Sequence, residues 1–165
     1  GAFTEGIIRE MARKTPRPII FPLSNPTSKA EATPADLIRW TGARALIATG
    51  SPFAPVVDGG RTIPIAQCNN VYIFPAIGLA IAACKPTRVT DGMLLAAARA
   101  LGDCSPARQD RNGSLLPPVR ELRAVARHIA AAVARQAQAE GLAKPIEPEE
   151  LARRIAASQW TPRYE

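Results

Sequence analysis

The sequence predicts an α/β fold in two parts, an alternating helix-and-strand region followed by a mainly helical one. Three observations carry this. Two short apolar runs, Pro18 to Leu23 and Ala45 to Thr49, are each closed by turn residues, as expected of strands buried on both faces. A helix signal precedes each run, so residues 3 to 50 read helix, strand, helix, strand, the period of a parallel sheet with crossover helices. Beyond Asn69-Asn70 the apolar period becomes helical and alanine-rich. The chain has 31 Ala and 16 Pro in 165 residues. Alanine favours helix because it loses no side-chain entropy there, and proline separates the helices.

The elements follow in order. Thr4 is placed to cap a helix over residues 5 to 14, with Ile7, Ile8 and Met11 on one face; Pro16 and Pro18 end it. Pro18 to Leu23 is the first strand, and Ser24-Asn25-Pro26-Thr27 is a turn. Thr33-Pro34-Ala35-Asp36 starts a helix reaching about Trp40, with Thr at the N-cap, Pro at the first position and an acid at the third. Ala45 to Thr49 is the second strand, closed by Gly50-Ser51-Pro52. Val56 to Ile63 reads as a hairpin turning at Asp58-Gly59-Gly60. Val71 to Cys84 is an apolar helix. Thr90-Asp91 caps another, running to about Leu101. Asp103 to Pro118 is a loop with a turn at Asn112-Gly113. Pro118 to Glu140 is a long amphipathic helix with Val119, Leu122, Val125, Ile129 and Val133 on its apolar face, stopped by Gly141. Glu147 to Ala157 is the last helix, and Gln159 to Glu165 a polar tail. Two buried parallel strands do not make a sheet. Either another chain completes it, or further strands lie upstream.

Composition excludes several classes. Charged residues at 21% and hydrophobic ones at 47% fit a globular chain rather than a disordered one. No apolar run reaches the roughly 18 residues of a membrane span; the longest, Val71 to Cys84, contains Pro75. The start Gly1-Ala2-Phe3-Thr4 has no secretory pattern. Cys68, Cys84 and Cys104 are spaced for neither a disulfide framework nor a zinc knuckle, and three reduced thiols suit a cytoplasmic protein. The net charge of +7 is spread along the chain, and aromatics are only 5%, which argues against nucleic acid. The tightest basic feature is Arg120, Arg123 and Arg127 on one face of the long helix. It leaves a second reading open, a non-catalytic helical binding or oligomerisation module.

Ligands of open α/β sheets bind at the carboxyl ends of the strands. Those ends are Ser24-Asn25-Pro26-Thr27 and Gly50-Ser51-Pro52-Phe53. Asn25 offers a donor and an acceptor there, suiting a carboxamide or a carboxylate beside a hydroxyl; turn chemistry alone would also place Asn-Pro here. Asn69 and Asn70 stand where the chain turns helical, fit either for a ligand or for an N-cap. There is no Gly-rich phosphate loop. His128, beside the long helix's apolar face, reads as structural. Neither Tyr72 nor Tyr164 sits in a motif that argues for acid catalysis, and no metal site assembles locally.

Three ordered stretches carry a resemblance: Leu23-Ser24-Asn25-Pro26-Thr27-Ser28-Lys29-Ala30-Glu31, Ala48-Thr49-Gly50-Ser51-Pro52-Phe53, and Gln67-Cys68-Asn69-Asn70-Val71-Tyr72-Ile73-Phe74-Pro75. With Gly1-Ala2-Phe3-Thr4-Glu5-Gly6-Ile7-Ile8, Thr90-Asp91 and Leu116-Pro117-Pro118, they make the chain resemble the C-terminal part of a malic enzyme, of the large bacterial NAD-type branch. Cys68, and Ala76 where many members have Gly, are small variations on the pattern. The resemblance implies a partial Rossmann-like dinucleotide-binding domain over 1–69, a returning helical segment of the substrate domain over 70–141, and a C-terminal helix and tail over 142–165. It implies oxidative decarboxylation of malate to pyruvate and CO₂ with NAD, or NADP, as hydride acceptor. It also implies a homodimer or homotetramer, with no membrane and no nucleic acid as partner. The family's base, acid, Mg or Mn ligands and dinucleotide fingerprint lie upstream of Gly1, so the 165 residues alone are expected to be inactive. What maps is Asn25 at the junction of nicotinamide and malate, Asn69 toward cofactor and substrate, and Asn70 toward substrate.

Overall fold

Prolines decide the shape of the first strand. In the computed structural model, which describes residues 1–110 and 113–161, only Ile19–Ile20 of the expected run Pro18 to Leu23 forms strand β1. Pro18 and Pro22 have no N–H to give the ladder. They contribute carbonyls alone, accepting from Leu46 N at 2.9 Å and from Gly50 N at 2.9 Å. The strand is also buried on one face rather than two. Pro18, Ile20 and Pro22 are buried, whereas Ile19 is 61% exposed and Leu23 is exposed too. That is the period-two alternation of a half-buried strand, and it corrects the expectation of burial on both faces.

The described chain groups into two units, Gly1–Asn69 with Ser105–Pro117, and Asn70–Cys104 with Pro118–Glu165. In the first, β1, β2 (Leu46–Thr49) and β5 (Ala66–Gln67) form a parallel sheet with β2 in the centre. Ile19 faces Leu46, Ile20 faces Ile47, Ala48 faces Ala66 and Thr49 faces Gln67. Strand β5 had no sequence signal, since two residues are too few to show a period. Helix α1 (Glu5–Lys14) buries Ile8 and Ala12, while Ile7 and Met11 are exposed, so the expected face is turned. Thr4 stands at its N-cap without a side-chain bond. In α2 (Pro34–Thr41) the cap is complete: Thr33 Oγ1 accepts from Asp36 N at 3.1 Å and donates to Asp36 Oδ2 at 2.8 Å. Leu37 and Ile38 from this helix join Ile8, Ile20, Ala32 and Ile47 in one core. Gly42 and Ala43, both left-handed, turn the chain into β2. The hairpin of β3 (Val56–Asp58) and β4 (Arg61–Ile63) turns at Gly59-Gly60 with positive φ at both, the chemistry such a turn requires.

The second unit is helical. The chain from Asn70 to Tyr72 is a 3-10 turn, and α3 runs Phe74–Cys84 with Pro75 in its first turn. The helix expected from Val71 therefore starts later, where the missing proline N–H costs nothing. Helix α4 (Asp91–Asp103) is capped by Thr90, whose Oγ1 accepts from Met93 N and donates to Glu140 at 2.6 Å. The long helix is α5 (Leu122–Ala139), preceded by a 3-10 turn over Val119–Glu121. That turn leaves Val119 exposed, off the expected apolar face, while Val125, Ile129 and Val133 are buried. His128 is exposed rather than packed. Gly141, left-handed, closes α5 with Leu142 N donating to Ala137 O at 2.9 Å. Helix α5 packs on α3 and α4, and α6 (Pro148–Ser158) packs on α3 and α5. The buried alanines Ala76, Ala80, Ala97, Ala126, Ala130 and Ala134 stand on these helices. Small side chains let helix axes approach closely, which gives the alanine richness a structural role. Among the described residues no helix is long and apolar enough to cross a membrane. Asn112 of the expected turn, and Tyr164, lie outside the described residues.

Two contacts in the first unit generate predictions. A Cβ on Gly50 would stand 2.1 Å from Leu23 O, where β2 passes the end of β1. Gly50→Ala should therefore destabilise by about 1–3 kcal/mol through forced separation of the two backbones. Gly6→Ala in α1, where a Cβ meets nothing within 4 Å, should stabilise by up to about 1 kcal/mol. Urea denaturation of the two variants reads the contrast. Separately, Ser24 donates to Glu31 from Oγ at 2.6 Å and from N at 3.2 Å. The Ser24 hydroxyl holds the Glu31 carboxylate below its ordinary range. Its stabilisation is then full above the ordinary carboxylate pKa and lost as pH falls through the lowered one. Glu31→Gln should weaken the protein at pH 7 and leave it level with wild type once acid has protonated Glu31, measured by denaturation against pH.

Candidate functional site at the carboxyl edge of the sheet

Parallel strands bring their carboxyl ends to one edge, so three loops meet there in the first unit. From β1 comes Leu23-Ser24-Asn25, from β2 Gly50-Ser51, and from β5 Cys68-Asn69. Backbone bonds fix their spacing: Gly50 N donates to Pro22 O at 2.9 Å, and Cys68 N donates to Thr49 O at 2.8 Å. Gln67 Nε2 adds a bond to Gly50 O at 3.2 Å. Thr49, fully buried, donates from Oγ1 to Ser51 O at 2.8 Å and pins the β2 loop.

The pinned loop orients Asn25. Ser51 Oγ donates to Asn25 Oδ1 at 2.5 Å across 26 residues of sequence. With Oδ1 committed, the Nδ2 amino group remains to donate to a ligand oxygen. Asn25 and Asn69 are exposed at the same sheet edge, and Asn69 already takes part in a polar interaction. Asn70 is exposed too, but it begins the second unit, where its carbonyl accepts from Ile73 N at 3.0 Å. It caps no α-helix. Sequence alone pointed to the asparagines and missed their supports. Gly50 and Ser51 read as a strand end and as part of a motif, like Glu31, without a bonding role of their own. The available signal was Thr49-Gly50-Ser51 standing at the carboxyl end of a strand parallel to the one that Asn25 follows.

At this edge Asn25, Ser51, Cys68 and Asn69 are neutral side chains, and the Glu31 carboxylate accepts from Ser24. Burial pushes the Cys68 thiol up, which keeps it protonated. Cys84 and Cys104 are raised by the same cause, and all three are free thiols. Tyr72 is buried in the second unit. Among the described residues no group of three His, Cys, Asp or Glu can hold a metal. The arginine face of α5 is partly spent on structure. Arg123 donates to Trp160 O at 3.0 Å and to Thr161 Oγ1 at 2.9 Å; Arg120, expected on the same helix, lies instead in the preceding 3-10 turn, 3.8 Å from Glu121.

Comparison with known proteins bears on the family and the fold. Residues 1–138 match the model of the family described as malic enzyme, NAD binding domain. The NAD-dependent malic enzyme of Pseudomonas syringae pv. syringae (strain B728a) is 55% identical over 164 residues, 99% of this chain and 29% of that protein. The NAD-dependent malic enzyme of Shewanella denitrificans (strain OS217 / ATCC BAA-1090 / DSM 15013) is 54% identical over the same shares. The crystal structure of Entamoeba histolytica malic enzyme superposes with a TM-score of 0.73 at 26% identity, covering 95% of this chain and 29% of that one. That of malic enzyme from Pyrococcus horikoshii Ot3 gives 0.71 at 26% identity, with 95% and 32% covered. The chain thus spans about 29% of the length of the curated relatives it matches. With residues 1–138 matched to that model and relatives more than half identical over nearly the whole chain, this chain belongs to the malic enzyme family.

Proposed function

We propose that the chain is the C-terminal portion of an NAD-dependent malic enzyme, which oxidises and decarboxylates malate to pyruvate and CO₂. The observation that carries this reading is Asn25, held by Ser51 at the carboxyl edge of the sheet with its amino group left to donate. Residues 1–69 complete the Rossmann-like dinucleotide domain, 70–141 return to the substrate domain, and 142–165 form the C-terminal helix and tail. Asn25 and Asn69 contact the nicotinamide side, and Asn25, Asn69 and Asn70 contact malate. Cytoplasmic location is supported by three free thiols. A homodimer or homotetramer is supported by Phe74 and Trp160, each 75% exposed.

The residues present suit the nicotinamide end of the cofactor and not its phosphates, since no Gly-rich loop is in the chain. NAD, when bound, supplies the hydride acceptor. Asn25 Nδ2 donates to an oxygen of the bound carboxamide or of malate and fixes its orientation. Being neutral, the amide adds no charge beside the carboxylate that departs. The rigid Thr49-Gly50-Ser51 corner keeps that donor in place between turnovers. The divalent metal is a different case: among the described residues no group of three His, Cys, Asp or Glu can hold one, and no step here runs through it.

The test is turnover by the complete protein with L-malate, NAD and Mn²⁺. NADH and pyruvate should form in equal amounts. Asn25→Ala should lower kcat/KM by tenfold or more, about 1.4 kcal/mol or above in transition-state binding. Asn25→Asp should be worse, because it sets a negative charge against a carboxylate substrate. No NADH from the wild type, or an Asn25→Ala variant as active as wild type, would contradict the assignment.

A further inference from the structure

The opposite edge of the same sheet has a cavity. It lies in the first unit where the chain enters the strands, just before β1, β2 and β5, and measures about 430 Å³. Arg17 precedes β1, Arg44 precedes β2 and Arg61 opens β4; all three line it. Leu46, Ile63 and Leu115 supply apolar wall, and among the described residues no Asp or Glu lines it. A volume of this size is that of a small-molecule site.

Arg44 makes the cavity a formed site rather than a gap. Its Nε donates to Thr41 O at 3.1 Å, Nη1 to Pro16 O at 2.7 Å and Nη2 to Ala12 O at 2.9 Å. Three carbonyls fix the guanidinium plane without neutralising its charge. A guanidinium has five N–H donors, so two remain for a ligand on a group whose orientation is already settled. Arg61 is the register partner of Asp58 at the end of the hairpin, yet the two form no ion pair. Arginine suits planar, two-oxygen recognition of carboxylate and phosphate.

We infer that this amino-edge cavity binds a small organic anion, with its charged oxygens toward Arg17, Arg44 and Arg61 and its body against Leu46, Ile63 and Leu115. The site is separate from the carboxyl-edge asparagines and independent of the function proposed for them. The ligand chemistry shared by its possible sources is a cluster of two or more anionic oxygens, from a phosphate ester or from a polycarboxylate.

Calorimetric titration of the complete protein with pyrophosphate, citrate and AMP, each with excess NAD present to fill a dinucleotide site, tests this. At least one probe should bind with submillimolar affinity. Citrate alone identifies a polycarboxylate site, pyrophosphate alone a phosphate site, and AMP above pyrophosphate a phosphate ester with a body. Arg61→Glu, on the exposed hairpin and without a structural bond, should weaken that probe tenfold or more, and Arg17→Ala should weaken it several-fold. Fold is checked by an unchanged denaturation midpoint. Arg61→Gln should bind between wild type and Arg61→Glu. Binding by none of the probes, or binding unchanged in both Arg61→Glu and Arg17→Ala, would overturn the inference.

Discussion

The close passage of β2 across the end of β1 at Gly50 is the constraint on which the carboxyl edge depends. Only a residue without a side chain fits beside the Leu23 carbonyl. Because it fits, Gly50 N reaches Pro22 O, and the next residue, Ser51, arrives within reach of Asn25. The prolines flanking β1 act in the same direction: they have no N–H to give, while their carbonyls accept from Leu46 N and Gly50 N. Position at this edge is therefore set by backbone geometry first and by side-chain chemistry second. That order suits a site whose task is to orient a ligand rather than to exchange protons with it.

The second unit rests on different physics. Its helices meet largely through alanines, with Tyr72, Val125, Ile129, Val133, Met93, Leu151 and Ile155 among the larger buried side chains. Polar contacts then fix its ends. Glu140, at the end of α5, accepts from Thr90 at the start of α4 and from Gln136. Arg123 and Gln159 tie the segment after α6 to α5. Part of the basic face that suggested a binding module is thus an internal fastening.

How much was legible in the sequence follows from the range of each signal. Thr33-Pro34-Ala35-Asp36 and Thr90-Asp91 were readable because a helix cap is decided within four residues. Gly59-Gly60 was readable because the turn needs two positive φ values. Strand β5 was not, since Ala66–Gln67 is a strand only by pairing with β2. Ile7 and Met11 misled because the faces of a short helix are set by what packs on it. At the site, Asn25 could be named from its place at a strand end, and Asn69 from its place where the chain turns helical. Ser51 could not, because its bond to Asn25 spans 26 residues. The family resemblance rested on motifs that turn out to hold both partners of that bond.

The most direct measurement is a crystal structure of the complete protein with NAD and a non-reacting malate analogue such as oxalate. The account predicts Asn25 Nδ2 within hydrogen-bonding distance of the nicotinamide carboxamide or the analogue, about 2.7–3.2 Å, with Ser51 still donating to Asn25 Oδ1. A cofactor and analogue bound away from this edge, with Asn25 contacting neither, would contradict it.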